Sequence, residues 1–205
     1  MLTVHDLACV RGDRLLFKNL SVVLNAGGLL YVLGDNGSGK SSLLKLLCGL
    51  LTPETGSVHW CAQNISHAPE VYQSNLTYIG HLNGIKDDLS ALENLSFSSG
   101  IAGKHVTASE VLDALQAIGI ERYAHVAMSE LSQGQKRRVA LARLWLTSSQ
   151  LWILDEPFAA LDAAAITTLA ARLTEHLADG GMAVITSHQE VNINAKSTQS
   201  LRLGH

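Results

Sequence analysis

The chain is poor in charge of either sign and in the residues that staple or metallate small proteins. Its 205 residues include 15 Lys and Arg against 18 Asp and Glu, a formal net charge of −3. So small a balance supplies no general attraction to nucleic acid. The three cysteines, Cys9, Cys48 and Cys61, are odd in number and contain no C-x-x-C pair. That pattern argues against a disulfide frame or a zinc site and fits reduced thiols packed as small apolar residues. The nine histidines contain no helical H-x-x-x-H pair. No apolar run approaches the ~20 residues of a membrane span. Thr3, His5 and Asp6 interrupt any apolar start, so no signal peptide is expected. A soluble protein is expected, one that reaches any membrane through a partner. Repeats, low-complexity stretches, linkers and heptads are all missing, and the length suits one domain with at most a subdomain.

What is present begins with Gly34-Asp35-Asn36-Gly37-Ser38-Gly39-Lys40-Ser41, a match to G-x-x-x-x-G-K-[ST]. The apolar run Leu29 to Leu33 before it reads as a buried parallel strand, and Ser42 to Leu47 after it is apolar at helical spacing. The loop therefore sits at a strand-to-helix turn. There its backbone N–H groups close around a β-phosphate and the helix N-terminus adds partial positive charge. Lys40 is placed to reach the β- and γ-phosphates of ATP, and Ser41 to ligate Mg²⁺.

Asp155 and Glu156 end a second apolar run, Leu151 to Leu154. A carboxylate at the C-terminal end of a buried strand lies beside the phosphate loop in such a sheet. Asp155 is expected to hold Mg²⁺ through water, and Glu156 to polarise the attacking water. Without the phosphate loop upstream, the same pair would be read as an acidic turn before Pro157.

Ser132-Gln133-Gly134-Gln135 forms an S-x-x-Q capping box opening a helix through Leu144. Its first-turn N–H groups are a potential anion site. Leu131-Ser132-Gln133-Gly134-Gln135 also resembles the LSGGQ signature of the ABC (ATP-binding cassette) ATPases, with Gln133 in place of the first glycine. Ala160-Leu161-Asp162 resembles that family's D-loop. His188, after the strand-like Ala183 to Thr186, resembles its switch histidine. The resemblance spans nearly the whole chain. It implies an ATPase in which Ser132, Gly134 and Gln135 of one copy bind the γ-phosphate held by another, with Glu156, His188 and Lys40 as the catalytic set. Ser42 and the rest of the phosphate loop would also contact nucleotide, and Asp162 would lie at the shared boundary.

Two positions depart from the family pattern. Where a metal-contacting Gln is usual, Thr77-Tyr78-Ile79-Gly80 leads to His81, whose imidazole can also accept a hydrogen bond. Where an aromatic usually stacks on adenine, the chain has Arg11 before Gly12. A guanidinium plane can stack on a base, and a solvated turn residue is the alternative.

The implied fold is α/β: a P-loop NTPase with a mixed central sheet, an N-terminal antiparallel β subdomain and an inserted helical subdomain. Residues 1 to about 30 and 56 to 80 carry strand signals with turns. Residues about 86 to 140 are helical, with Val111, Leu112, Leu115 and Ile118 on one face, and 141 to 205 hold strand-and-helix units. The whole, 1–205, reads as one ABC ATPase domain.

Among ABC ATPases, chromosome and repair enzymes need a long coiled-coil insertion, for which Lys40 to Leu131 is too short. Ribosome-acting factors carry two cassettes. A transporter motor remains. A phosphotransferase outside the family would not need Ser132, Gly134, Gln135 or His188. Tyr78 to Lys86, Ala91 to Leu95, Arg138 to Leu146 and Leu151 to Asp162 resemble the ATP-binding subunits of bacterial cytochrome c maturation exporters. That resemblance implies a homodimer bound to integral membrane subunits, CcmB-like with CcmC- and CcmD-like ones, on the cytoplasmic side of the inner membrane. It further implies that hydrolysis powers the release of a haem-loaded periplasmic chaperone. The membrane partner would meet Leu82-Asn83-Gly84-Ile85-Lys86, unless Leu82 and Ile85 pack inward. Composition and motifs carry no haem signal. His5, His59, His67 and Cys61 have ordinary surface or core explanations, and an exporter of another small molecule or of a polysaccharide remains the alternative.

Overall fold

The computed structural model describes residues 1–187 and 191–204. Strands β1 (Leu2–Arg11), β2 (Arg14–Leu24) and β3 (Gly28–Leu33) lead into helix α1 (Lys40–Leu47). Then follow β4 (Thr55–Trp60), β5 (Gln63–Asn64), α2 (Pro69–Ser74) and β6 (Leu76–Ile79). Helices α3 (Ala91–Ile101), α4 (Ala108–Ala117) and α5 (Gln133–Leu146) come next, and the chain continues through β7 (Leu151–Leu154), α6 (Ala163–Ala178), β8 (Met182–Thr186) and β9 (Ser197–Arg202). The chain divides into two compact units. One comprises Met1–Tyr78, Ser149–Glu156 and Thr174–His205, and the other Ile79–Ser148 and Pro157–Leu173.

The first unit holds both sheets. One has the order β2-β1-β4-β5 with antiparallel pairing, and the other the order β6-β7-β8-β3-β9. In the second sheet β7–β8, β8–β3 and β3–β9 are parallel pairs. The antiparallel N-terminal sheet is the expected one, whereas the central sheet, expected to be mixed, is parallel at these three pairs. Hairpin-length connections join antiparallel neighbours such as β1 and β2, whereas the parallel neighbours are joined by crossovers, as parallel pairing requires. A second difference lies in 56–80, where α2 interrupts the expected strands. Pro69 in its first turn forfeits no helical hydrogen bond and has its φ already set.

Apolar periodicity explains the core. Leu43, Leu44, Leu46 and Leu47 of α1 are buried in one cluster with Leu2, Val4 and Leu7 of β1, Val32 of β3, Ile153 of β7 and Val184 of β8. All four residues of β7 and all five of β8 are buried, the mark of strands covered on both faces. Of the thiols, Cys9 and Cys48 are buried, and burial pushes the Cys48 thiol well up from its ordinary value. Cys61 departs from the expected packing: it is exposed at a turn with φ 49°. His5 and His59 pack edge to face, with ring centroids 5.2 Å apart.

The second unit is built on capped helices. Ser90–Glu93 opens α3, Thr107–Glu110 opens α4 and Ser132–Gln135 opens α5, each with both reciprocal bonds of a capping box. Of the expected α4 stripe, Val111, Leu115 and the capping Ile118 are buried and Leu112 is half-buried. Among the described residues no helix is long and apolar enough to cross a membrane.

Because α1 carries the phosphate loop on its N-terminus, its packing sets the loop's position. Leu44 is fully buried at its centre. Leu44→Ala is expected to lower unfolding stability by about 2–5 kcal/mol, read from urea denaturation, with nucleotide affinity weakened under the same conditions.

Candidate nucleotide-hydrolysing site

In the first unit the phosphate loop bridges β3 and α1. Gly34 has φ 147°, and a Cβ there would lie 2.5 Å from both the Leu203 carbonyl oxygen and Ser38 Oγ, so no side chain fits. Asp35, Asn36 and Gly37 line the loop and are exposed, and Ser38 and Gly39 are half-buried. Lys40 is buried and folds back over the loop, its Nζ donating to the carbonyls of Gly34 at 2.6 Å and Asp35 at 3.0 Å. Ser41 is exposed and Ser42 half-buried on the first turn of α1. The buried Ser38 hydroxyl has no hydrogen-bond partner. A buried hydroxyl left without a partner is costly. An orphan hydroxyl beside an ammonium and a helix N-terminus is the donor set a phosphate oxygen satisfies, so the loop fits a nucleotide.

The acidic pair lies at the end of β7. Asp155 is buried and accepts a 2.7 Å hydrogen bond from Thr186 Oγ1 at the end of β8. The same oxygen accepts from the Glu156 backbone N–H, also at 2.7 Å. Glu156 has φ 48°, a left-handed conformation that costs a residue with a Cβ about 1–2 kcal/mol. The following Pro157 disfavours it further, since proline steers its predecessor to extended backbone. The turn lets the chain leave the sheet abruptly at the point where the two carboxyl groups emerge.

The second unit holds the signature segment. Ser132 Oγ accepts from the Gln135 N–H at 3.3 Å, and Gln135 Oε1 accepts from the Ser132 N–H at 2.8 Å, so the expected capping box is formed. Gly134 lies against the D-loop-like segment: a Cβ there would sit 2.9 Å from the Ala160 carbonyl oxygen. Asp162 caps α6 by accepting from the Ala165 N–H at 2.9 Å and pairs with Arg138 at 2.5 Å. The Ala165 amide first, then the Arg138 guanidinium, hold the Asp162 carboxyl below the ordinary carboxylate range.

His81 is exposed in the loop that follows β6. Leu82 in that loop is 85% exposed, Ile85 is half-buried, and Gly84 makes the sharp turn at φ 62°. Arg11 is exposed at the end of β1, in register with Arg14 across the β1–β2 turn. His188 lies outside the described residues.

Three residues with site geometry escaped the sequence reading. Thr186 is one; a polar residue closing the apolar run Met182 to Ile185 was the available signal. Arg137 is another: it is buried and donates to the Gly80 carbonyl at 2.8 Å and Asn83 Oδ1 at 3.1 Å, tying α5 to the His81 loop. Asn94 is the third. Its amide oxygen accepts from the Lys86 N–H at 2.8 Å, while its Nδ2 donates to the Lys86, Leu89 and Ser90 carbonyls, gathering the stretch before α3. The Arg137 contact joins residues more than fifty positions apart and leaves no periodic trace, and the Asn94 bonds, though local, follow no repeat.

A phosphate loop with an orphaned donor, an acidic pair at the end of a buried strand and a capped signature helix together define an ATP-binding cassette. The chain belongs to the ABC transporter family, whose model matches residues 17–159, and within it to the cytochrome c biogenesis ATP-binding export proteins. It is 48% identical over 204 residues to the cytochrome c biogenesis ATP-binding export protein CcmA of Dechloromonas aromatica, with all of both chains covered. To the protein of that name from Escherichia coli O157:H7 it is 42% identical, over 99% of this chain and 96% of the relative. Among solved structures it matches the ATP-binding subunit of an ABC transporter with a TM-score of 0.79 and 27% identity, covering 91% of this chain and 79% of that one. A dimeric bacterial ABC transporter cassette shares the fold, with a TM-score of 0.81 at 22% identity over 92% of this chain and 88% of the other. As a member of this family the chain is an ATPase.

The contact between Gly134 and the Ala160 carbonyl generates a prediction. In Gly134→Ala the carbonyl and its turn must shift. Turnover is expected to fall about 10- to 100-fold while binding of ATP to the isolated chain is retained. Steady-state hydrolysis and fluorescent-nucleotide titration measure the two.

Proposed function

We propose that this chain is the ATP-hydrolysing subunit of a cytochrome c maturation exporter, acting as a homodimer that clamps ATP between two copies. The identity of 42–48% with the cytochrome c biogenesis export proteins over nearly the full length carries this reading. ATP lies along the loop from Gly34 to Ser42, with Lys40 released from its carbonyl partners to meet the β- and γ-phosphates. Ser41 and Asp155 would hold Mg²⁺, which would neutralise phosphate charge. Glu156 accepts a hydrogen bond from the attacking water, and His188 contacts the γ-phosphate. Ser132, Gly134 and Gln135 of the second copy complete the site, with Asp162 at the shared boundary. His81 stands in for the usual glutamine, and Arg11 stacks on the base.

The membrane subunits, of the CcmB, CcmC and CcmD kind, bind on the cytoplasmic side of the inner membrane through the loop from Leu82 to Lys86. Leu82, 85% exposed in this loop, is open to such a partner. Hydrolysis there drives release of the haem-loaded chaperone on the far side. Residues 1–205 act as one ATPase domain, with about 86–140 as its helical subdomain. Copurification of the tagged chain with its membrane subunits, followed by their identification, tests the assignment. Recovery of subunits of an unrelated exporter overturns it.

Two predictions test the chemistry. Glu156→Gln keeps ATP binding but lowers turnover in the assembled complex about 10²- to 10⁴-fold and traps the dimer. Hydrolysis at the wild-type rate removes Glu156 from its role. Mixing a Lys40→Ala subunit with a Ser132→Arg subunit places both lesions in one site and leaves the other intact. Partial recovery of hydrolysis over either single-mutant dimer supports sharing of ATP across the dimer. No recovery, with mixed dimers shown to form by dual-tag capture, counts against independent shared sites.

A further inference from the structure

The geometry points to Thr186 as a positioning residue for hydrolysis: its hydroxyl fixes Asp155 and the Glu156 backbone together at the exit of the sheet. The inference rests on the reading of Asp155 and Glu156 as the metal-holding and water-orienting pair.

Thr186 is fully buried, the last residue of a strand whose other members are apolar. Its hydroxyl is used in both directions. It donates to Asp155 Oδ1 and accepts from the Glu156 N–H, both at 2.7 Å. A hydroxyl has one proton to donate and lone pairs to accept, so the Thr186 side chain serves both partners through a single atom. The bond to Asp155 sets which carboxylate edge is turned toward the metal position. The bond to Glu156 holds the amide of the one residue in this turn that combines a left-handed backbone with a carboxylate role. Without an external partner, a Glu ahead of a proline relaxes toward extended backbone, and its carboxylate swings with it. Thr186 comes from β8 and the acidic pair from β7, and the parallel register pairs Leu154 with Ile185, so each strand's next residue meets the other at the exit. Groups that orient a metal-holding or catalytic carboxylate act through it without touching substrate.

The test compares Thr186→Val, which keeps the shape and loses the hydroxyl, with Thr186→Ser, which keeps the hydroxyl and loses the methyl. Both are measured in the assembled complex beside Glu156→Gln. Thr186→Val is expected to lower kcat about 10- to 100-fold, with KM for ATP little changed. It should also raise the Mg²⁺ concentration giving half-maximal nucleotide binding, while binding in EDTA stays as in the wild type. Thr186→Ser restores both readouts. Wild-type kcat and Mg²⁺ dependence in Thr186→Val overturn the proposal. So does a Thr186→Ser variant as impaired as Thr186→Val, which would assign the effect to packing of the methyl group. If Thr186→Val does not fold, Thr186→Ala takes its place, and equal activity of the Ala and Ser variants overturns the inference. An active Glu156→Gln would instead overturn the reading beneath it.

Discussion

Strands β7 and β8 pair in parallel with water kept from every residue of both, Leu151 to Leu154 and Met182 to Thr186. A polar side chain in such a place must find its partner within the protein or leave the sheet. The chain does both at one point. Thr186 closes β8 and spends its hydroxyl on Asp155 and the Glu156 amide, and the backbone at Glu156 turns left-handed to bring the carboxyl groups out of the sheet. The left-handed turn is unfavourable by itself and is retained because buried neighbours over-determine it. Local strain at the end of an apolar strand thus holds the acidic pair in one arrangement.

The phosphate loop is supported in the same way. Its conformation is held from below by α1, whose leucines share a cluster with both sheets of the first unit. From the side it is held by the Leu203 carbonyl, against which only a glycine at position 34 can lie. Lys40 satisfies its ammonium on two loop carbonyls, leaving the buried Ser38 hydroxyl as the orphan.

In the second unit, α5 is a hub as well as a cap. Lys136 pairs with Asp87, Arg137 holds the loop carrying His81, and Arg138 pairs with Asp162 ahead of α6. Three successive basic residues on one helical turn therefore point to three different segments. Exposed pairs such as Lys136 with Asp87 add little stability singly. The buried Arg137 is different in kind, because removing it leaves the Gly80 carbonyl without this donor. That guanidinium ties the loop carrying His81 directly to α5, the helix that the signature segment opens.

Much of this was legible in the sequence for local reasons. The phosphate loop, the apolar runs of β3, β7 and β8, and the Ser132–Gln135 capping box are each specified within a few residues, by glycine geometry, apolar continuity and reciprocal hydrogen bonding. The antiparallel N-terminal sheet was expected, but the strand order within each sheet was not legible, because strand partners are chosen by residues far apart in the chain. Nor was the helix at Pro69, since a six-residue segment carries too little periodicity to override its strand-like flanks. Cys61 read as a packed thiol and proved exposed, because burial belongs to a position in a fold. The sequence by itself determined which residues form the phosphate loop and which element each begins or ends. Only the tertiary structure decided that Thr186 would meet Asp155 and Glu156, that Gly134 would lie against Ala160, and that Arg137 would grip the His81 loop. Such contacts join segments tens of residues apart, and their geometry exists only once the strands and helices between them have packed.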